Sequence, residues 1–164
     1  MLELNLGVAI YSLGKLLYIY MAYKGKFKPQ NPQKYRGDPT NIVYRSSWEC
    51  KVMSRLDRDT NVIEWASEEF FIPYRSPVDG KMHRYFPDFF VRVQSNSGLR
   101  AMVWEVKPKK QAQPPQPRSR VTKQYINEVV TWGINEAKWK AAQEFCKDRG
   151  WEFKVLTEDD LGIR

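Results

Sequence analysis

Apolar and polar positions along this chain change period several times, and each change marks an expected element. Between Tyr44 and Asp57, residues Trp48, Val52 and Leu56 recur every fourth position with Met53 beside them, the spacing of an amphipathic helix. Ser46 or Ser47 can cap its start, while Arg45 and Glu49, four apart, share a face next to the apolar stripe. Phe70 to Tyr74 reads as a short strand whose Pro73 suits a sheet edge or a strand end. An Asp-Gly turn signal at Asp79-Gly80 precedes a strongly β-prone run, Arg84 to Val93. Ser95-Asn96-Ser97-Gly98 separates that run from a second, Ala101 to Lys107, and the two are expected to pair as an antiparallel hairpin. Val121 to Arg149 carries a helical pattern, with Gly133 as a candidate break and Gly150 at its expected end. Its apolar stripe runs through Ala137, Trp139, Ala142 and Cys146, which assigns Trp139 to the core rather than to base stacking. Trp151 to Leu156 alternates as a last strand, and Thr157 to Leu161 opens a terminal turn. The expected order is helix, three strands, helix, strand, an α/β arrangement.

The ends of the chain follow other rules. Met1 to Tyr20 is rich in Leu, Ile and Tyr, but Glu3 and Lys15 fit neither a signal peptide nor a membrane anchor. It is read as an apolar N-terminal extension set by start-site choice, against an ordered N-terminal element or a membrane role. Residues 24–40 hold four lysines and Arg36 among three prolines, which exclude a regular helix or central strand and suggest a basic arm. That arm is either a solvated leader or a phosphate-backbone contact.

Composition narrows the class. With 164 residues, 42% apolar and 14% aromatic, the chain can bury one good core, and residues 21–164 are expected to form one domain. Lys and Arg number 27 against 19 Asp and Glu, a net charge of +8 that favours a polyanionic partner and excludes an acidic binding module. Two distant cysteines, Cys50 and Cys146, and a single histidine, His83, exclude a cysteine or multi-histidine zinc site and a disulfide scaffold. Any resident metal therefore has carboxylate ligands.

Asp88 is the residue that does not fit its strand. A carboxylate among Phe86, Phe89, Phe90 and Val91 loses hydration with no local compensation, and a metal ion or cationic partner would remove that cost. In the second run side chains alternate, so Glu105 and Lys107 share one face while Trp104 and Val106 take the other. Asp88 and Glu105 are hard oxygen ligands suited to Mg²⁺, with Mn²⁺ a substitute, and the preceding helix carries an inward glutamate. Lys107 is then placed to position a water or to offset charge on a phosphoryl group. Together these residues fit phosphodiester hydrolysis.

The pattern Pro87-Asp88 followed by Glu105-Val106-Lys107 resembles the PD-(D/E)xK nuclease superfamily. The resemblance widens with Tyr44-Arg45-Ser46-Ser47-Trp48-Glu49, Leu56-Asp57, Trp65-Ala66-Ser67-Glu68-Glu69, Ile72-Pro73-Tyr74, Arg84-Tyr85-Phe86-Pro87-Asp88-Phe89 and Glu105-Val106-Lys107-Pro108. In that order these blocks are similar to the head-completion nucleases of T-even-type tailed phages and to the endonuclease subunit of certain cut-and-paste transposases. The resemblance implies a restriction-endonuclease-like core, a central mixed β-sheet flanked by helices. It implies metal binding by Asp88 and Glu105, catalysis by Lys107, and a site completed by Glu49, with Glu68 or Glu69 as the other choices. It also implies a Mg²⁺-dependent DNA nuclease acting on packaged DNA with phage head or neck proteins, in the host cytoplasm or at the virion neck. A non-catalytic DNA-binding neck protein and a transposase-type subunit are the alternatives.

Tyr74, His83 and Arg84 flank the site in sequence, each as easily structural as functional. From Lys107 to Lys123 six basic residues, among them Lys109, Lys110, Arg118 and Arg120, occur with four prolines and no acid. This extended loop is expected to be mobile and to contact DNA, as are Arg45, His83 and Arg84. One active site cuts one strand, so a double-strand break would call for a homodimer or two encounters.

Overall fold

Alternating burial along a single strand pair explains the centre of the molecule. The computed structural model describes residues 24–163, and the apolar segment 1–20 lies outside the described residues. In chain order the elements are β1 (Gly25–Phe27), β2 (Ile42–Tyr44), α1 (Ser47–Arg58), β3 (Val62–Ala66), β4 (Ile72–Arg75) and β5 (Met82–Tyr85). They continue with β6 (Phe89–Ser95), β7 (Gly98–Val106), α2 (Lys123–Lys147), β8 (Glu152–Leu156) and α3 (Glu158–Leu161). β3, β6, β7 and β8 form a mixed sheet in that order, antiparallel except for β7 beside β8. That parallel pair needs a long crossover, which α2 supplies.

Successive residues of β6 enter different layers. Phe89 and Val91 join Val52, Met53, Leu56 and Trp65 under α1, whereas Phe90 joins Ala66, Val103 and Cys146 under α2. The same alternation in β7 sends Val106 towards α1 and Val103 towards α2. Glu105 therefore belongs to the α2 face. The hairpin β4–β5 forms its own two-stranded sheet and packs Ile72, Tyr74 and Tyr85 on Trp139 and Ala142 of α2.

The hairpin expected from the two β-prone runs is present, with Phe89 opposite Trp104 and Ser95 opposite Gly98. The expected count of three early strands is too low. The run from Arg84 divides at Phe86-Pro87-Asp88 into β5 and β6, because Pro87 has no N–H to continue a ladder. β3 was absent from the expected order, since Val62–Ala66 includes Glu64 and lies between polar segments. Gly133 does not break α2, which runs through it for 25 residues and stops where Gly150 turns left-handed at φ +65°.

The basic arm is more ordered than a solvated leader. β1 pairs with β2, Pro32–Lys34 forms a single 3-10 turn, and Tyr35 is buried against Trp65 with ring centroids 4.8 Å apart. Buried Asp57 at the end of α1 accepts from the backbone N–H of Gln30 at 2.7 Å and of Asn31 at 3.0 Å. Lys34 donates to the Asp57 and Asp59 carbonyls at 3.0 and 2.7 Å, where the helix C-terminus welcomes a cation. The proline-rich loop is also held. Lys109–Gln111 forms a 3-10 turn, Lys109 pairs with Asp159 at 2.6 Å, and Arg118 pairs with Glu128 at 2.7 Å. Among the described residues no helix is long and apolar enough to cross a membrane.

Candidate active site

The break between β5 and β6 creates the site. Pro87 ends the ladder, so the backbone at Asp88 leaves the sheet just where the C-terminal end of β7 passes. The Val106 N–H donates to Asp88 Oδ2 at 2.7 Å, tying the two strands together through the carboxylate. Glu105, 5% exposed, is held between two partners: its Oε1 lies 2.8 Å from Lys107 Nζ, and Tyr85 Oη donates to Oε2 at 2.6 Å. Asp88, Glu105 and Lys107 are thus brought together, as the alternation in β7 requires.

Electrostatics follow from packing two carboxylates in one recess. Burial holds the Asp88 carboxyl well above the usual carboxylate range, and the charge of Glu105 pushes it the same way. Lys107 opposes that shift, Glu49 adds to it, and the Val106 hydrogen bond opposes it. Tyr85 is driven far up by its burial and by the adjacent Glu105, so it stays a donor to that carboxylate. One group enters that sequence reasoning missed. Lys138 of α2 places its ammonium 5.8 Å from the Tyr74 ring centroid and 5.6 Å from that of Tyr85. Its burial lowers its pKa, while Glu105 and Asp88 pull it back up and Lys107 lowers it. The available signal was a lysine between Ala137 and Trp139, interrupting the buried stripe of a helix.

Glu49 stands in the first turn of α1, which Ser46 caps. Ser46 Oγ accepts from the Glu49 N–H at 3.1 Å, and Glu49 Oε2 accepts from the Arg45 N–H at 2.7 Å. Its Oε1 also accepts from Ser46 Oγ at 3.0 Å, so both carboxylate oxygens are engaged. Burial nonetheless raises its pKa, and its charge reaches Asp88. Glu68, at a left-handed φ of +54°, is ion-paired with Arg45. Glu69 turns away, accepting from Tyr35 Oη at 2.8 Å and crowding Gly37, where any Cβ would strike its carboxylate. Gly37 is required for that close approach.

The flanking residues are divided. Tyr74 faces Lys138, but exposed His83 binds Asp79 at 2.8 Å and exposed Arg84 lies 5.6 Å over the Phe71 ring. Neither touches the carboxylates. In the loop, Lys109 and Arg118 have acidic partners within the chain, whereas Lys110 and Arg120 are exposed.

Among the described residues no cluster of three His, Cys, Asp or Glu groups is arranged to enclose a metal. The donor set fits an oxygen-seeking cation that keeps water and phosphate in its shell, because Asp88 and Glu105 repel each other in the recess and only Lys107 balances Glu105 directly.

Residues 59–158 match the TnsA-like endonuclease N-terminal family, a stretch that includes Asp88, Glu105, Lys107 and Lys138. The chain belongs to that family. Over 145 residues it is 45% identical to the head completion nuclease of Enterobacteria phage T4, covering 86% of this chain and 95% of that protein. As a TnsA-like endonuclease the chain is a nuclease, and the matched stretch begins after Glu49.

Proposed function

We propose that this nuclease hydrolyses DNA phosphodiester bonds with Mg²⁺, for which Mn²⁺ substitutes, on a restriction-endonuclease-like core, and that it acts in completing phage heads after packaging. The observation that carries this reading is the convergence of Asp88, Glu105 and Lys107 at the end of β7, two carboxylates and an ammonium in one recess. Asp88 and Glu105 hold the cation, and Glu49 contributes its charge from the start of α1. When bound, such an ion lowers the pKa of a water and neutralises charge on the phosphoryl oxygens.

The chain's own residues supply the rest. Tyr85 fixes one Glu105 oxygen and leaves the other facing Lys107. Lys107, its side chain 21% exposed, is open to substrate and orients the attacking water or meets the negative charge of the transition state. Lys138 adds positive potential from the α2 side. The role in head completion rests on a relative matched over 95% of its length, which also favours it over a transposase-type subunit. In this reading the protein works with head or neck proteins in the host cytoplasm or at the virion neck, and a homodimer is the route to double-strand cuts.

Supercoiled plasmid tests the reading directly. The full chain nicks and then linearises plasmid in Mg²⁺, chelator stops it, and Asp88→Ala and Lys107→Ala each abolish it. Tight DNA binding without metal-dependent cutting by the parent chain would instead support a non-catalytic neck protein.

A further inference from the structure

A groove opens on the described surface beside the carboxylate recess. About 640 Å³ in volume, it lies between the proline-rich loop and the first half of α2. No α2 residue before Asn135 is buried, so this half of the helix stands away from the sheet. Gln124, Asn127, Thr131 and Asn135 line the groove from one helical face, spaced at three or four residues. Asn135, only 7% exposed, borders this open space. A row of amides and a hydroxyl along one wall of a groove offers donors and acceptors to a ligand with matching edges.

We propose that this groove is a subsite for one or two unpaired nucleotides beside the scissile phosphate, so that the enzyme prefers single-stranded or frayed DNA to closed duplex. The proposal rests on the nuclease reading above. Its volume falls in the range of small-ligand sites, about 300–1,000 Å³, and it is too small to admit a duplex. Amide side chains pair with the base edges that an unpaired nucleotide exposes, and Trp132 at the groove wall offers an aromatic surface for stacking. Lys110 and Lys123 supply charge for phosphates, while Glu128, the acid in the lining, is covered by Arg118 at 2.7 Å.

Position ties the groove to the chemistry. One wall begins three residues after Lys107, and the other ends at Asn135, one helical turn from Lys138, whose charge interacts with Asp88 and Glu105. A strand entering the groove thus has its next phosphate at the recess. A peptide would pair with the amides but would leave the cationic rim without a partner.

Anisotropy with the full-length Lys107→Ala protein compares a short labelled single strand with the blunt duplex made from it, at fixed salt. The single strand binds at least about tenfold tighter, the size expected of one stacked base. Asn135→Leu, and separately the exposed Thr131→Phe, bring the ratio of the two affinities to within about twofold, a ratio that cancels any general loss of folded protein. A parent ratio near one, or a ratio unchanged in both variants as a peptide groove would give, overturns the subsite. If the parent chain cuts no plasmid yet the ratio holds and collapses in both variants, the nuclease reading fails and the subsite stands.

Discussion

A carboxylate whose proton is held too tightly is a poor ligand until something positive arrives. Asp88 is in that state because burial and Glu105 both raise its pKa, and a metal must displace the proton to bind. As pH falls, protons therefore compete with the metal earlier than at an ordinary aspartate. The Mg²⁺ concentration for half-maximal cutting rises as pH is lowered from about 7 to about 5, and cutting at saturating metal falls less steeply. Titrations of plasmid nicking at several pH values measure this; a requirement flat across that window would remove the proton from Asp88. Lys138 and Tyr85 act around the same pair. Lys138→Met lowers kcat by about tenfold to a hundredfold, whereas Lys138→Arg keeps part of the rate because the charge survives. Tyr85→Phe frees Glu105 Oε2 and alters the metal requirement more than kcat, the mark of a positioning residue.

Elements explain what the sequence made legible and what it hid. Period-two alternation in β7 was enough to put Glu105 and Lys107 on one face, because a strand buried on one side by Val103 and on the other by Val106 has no freedom of register. The reach of α2 to that face was hidden, since Lys138 meets the site only through the long crossover from β7 to its neighbour β8. The basic arm misled for a different reason. Its prolines and lysines signal solvent, yet Asp57, distant in sequence, gathers its backbone N–H groups. Asp57→Ala leaves two of those donors without acceptors and should cost about 2–4 kcal/mol in urea unfolding. Glu49→Gln separates two roles in α1, because the Gln amide oxygen can keep the bond from the Arg45 N–H while the charge is lost. Its stability in urea should fall by at most about 1 kcal/mol, while the Mg²⁺ requirement rises several-fold because the site loses a negative charge that attracts the cation. A larger loss of stability with unchanged metal dependence would reduce Glu49 to a cap.

Across the whole molecule, a net charge of +8 overstates what DNA can use, because part of it is already spoken for inside the chain. Lys34 is turned onto helix carbonyls, Lys109 onto Asp159 and Arg118 onto Glu128, so each gives up a partner within the chain before it can meet a phosphate. Lys110, Arg120 and Lys123 are exposed on the loop and at the start of α2, beside the groove and downstream of Lys107. Each phosphate neutralised releases about 0.9 counterion from duplex and about 0.7 from single strand, so the salt slope of binding counts working cations. Replacing Lys110 and Arg120 together by alanine lowers the magnitude of that slope by about 1.4 to 1.8, whereas Lys109→Ala and Arg118→Ala leave it nearly unchanged. Affinity measured against salt for these proteins separates the two groups. Equal losses from all four positions would mean that Asp159 and Glu128 release their partners to DNA, and that the loop is rebuilt around the substrate instead of being held ready for it.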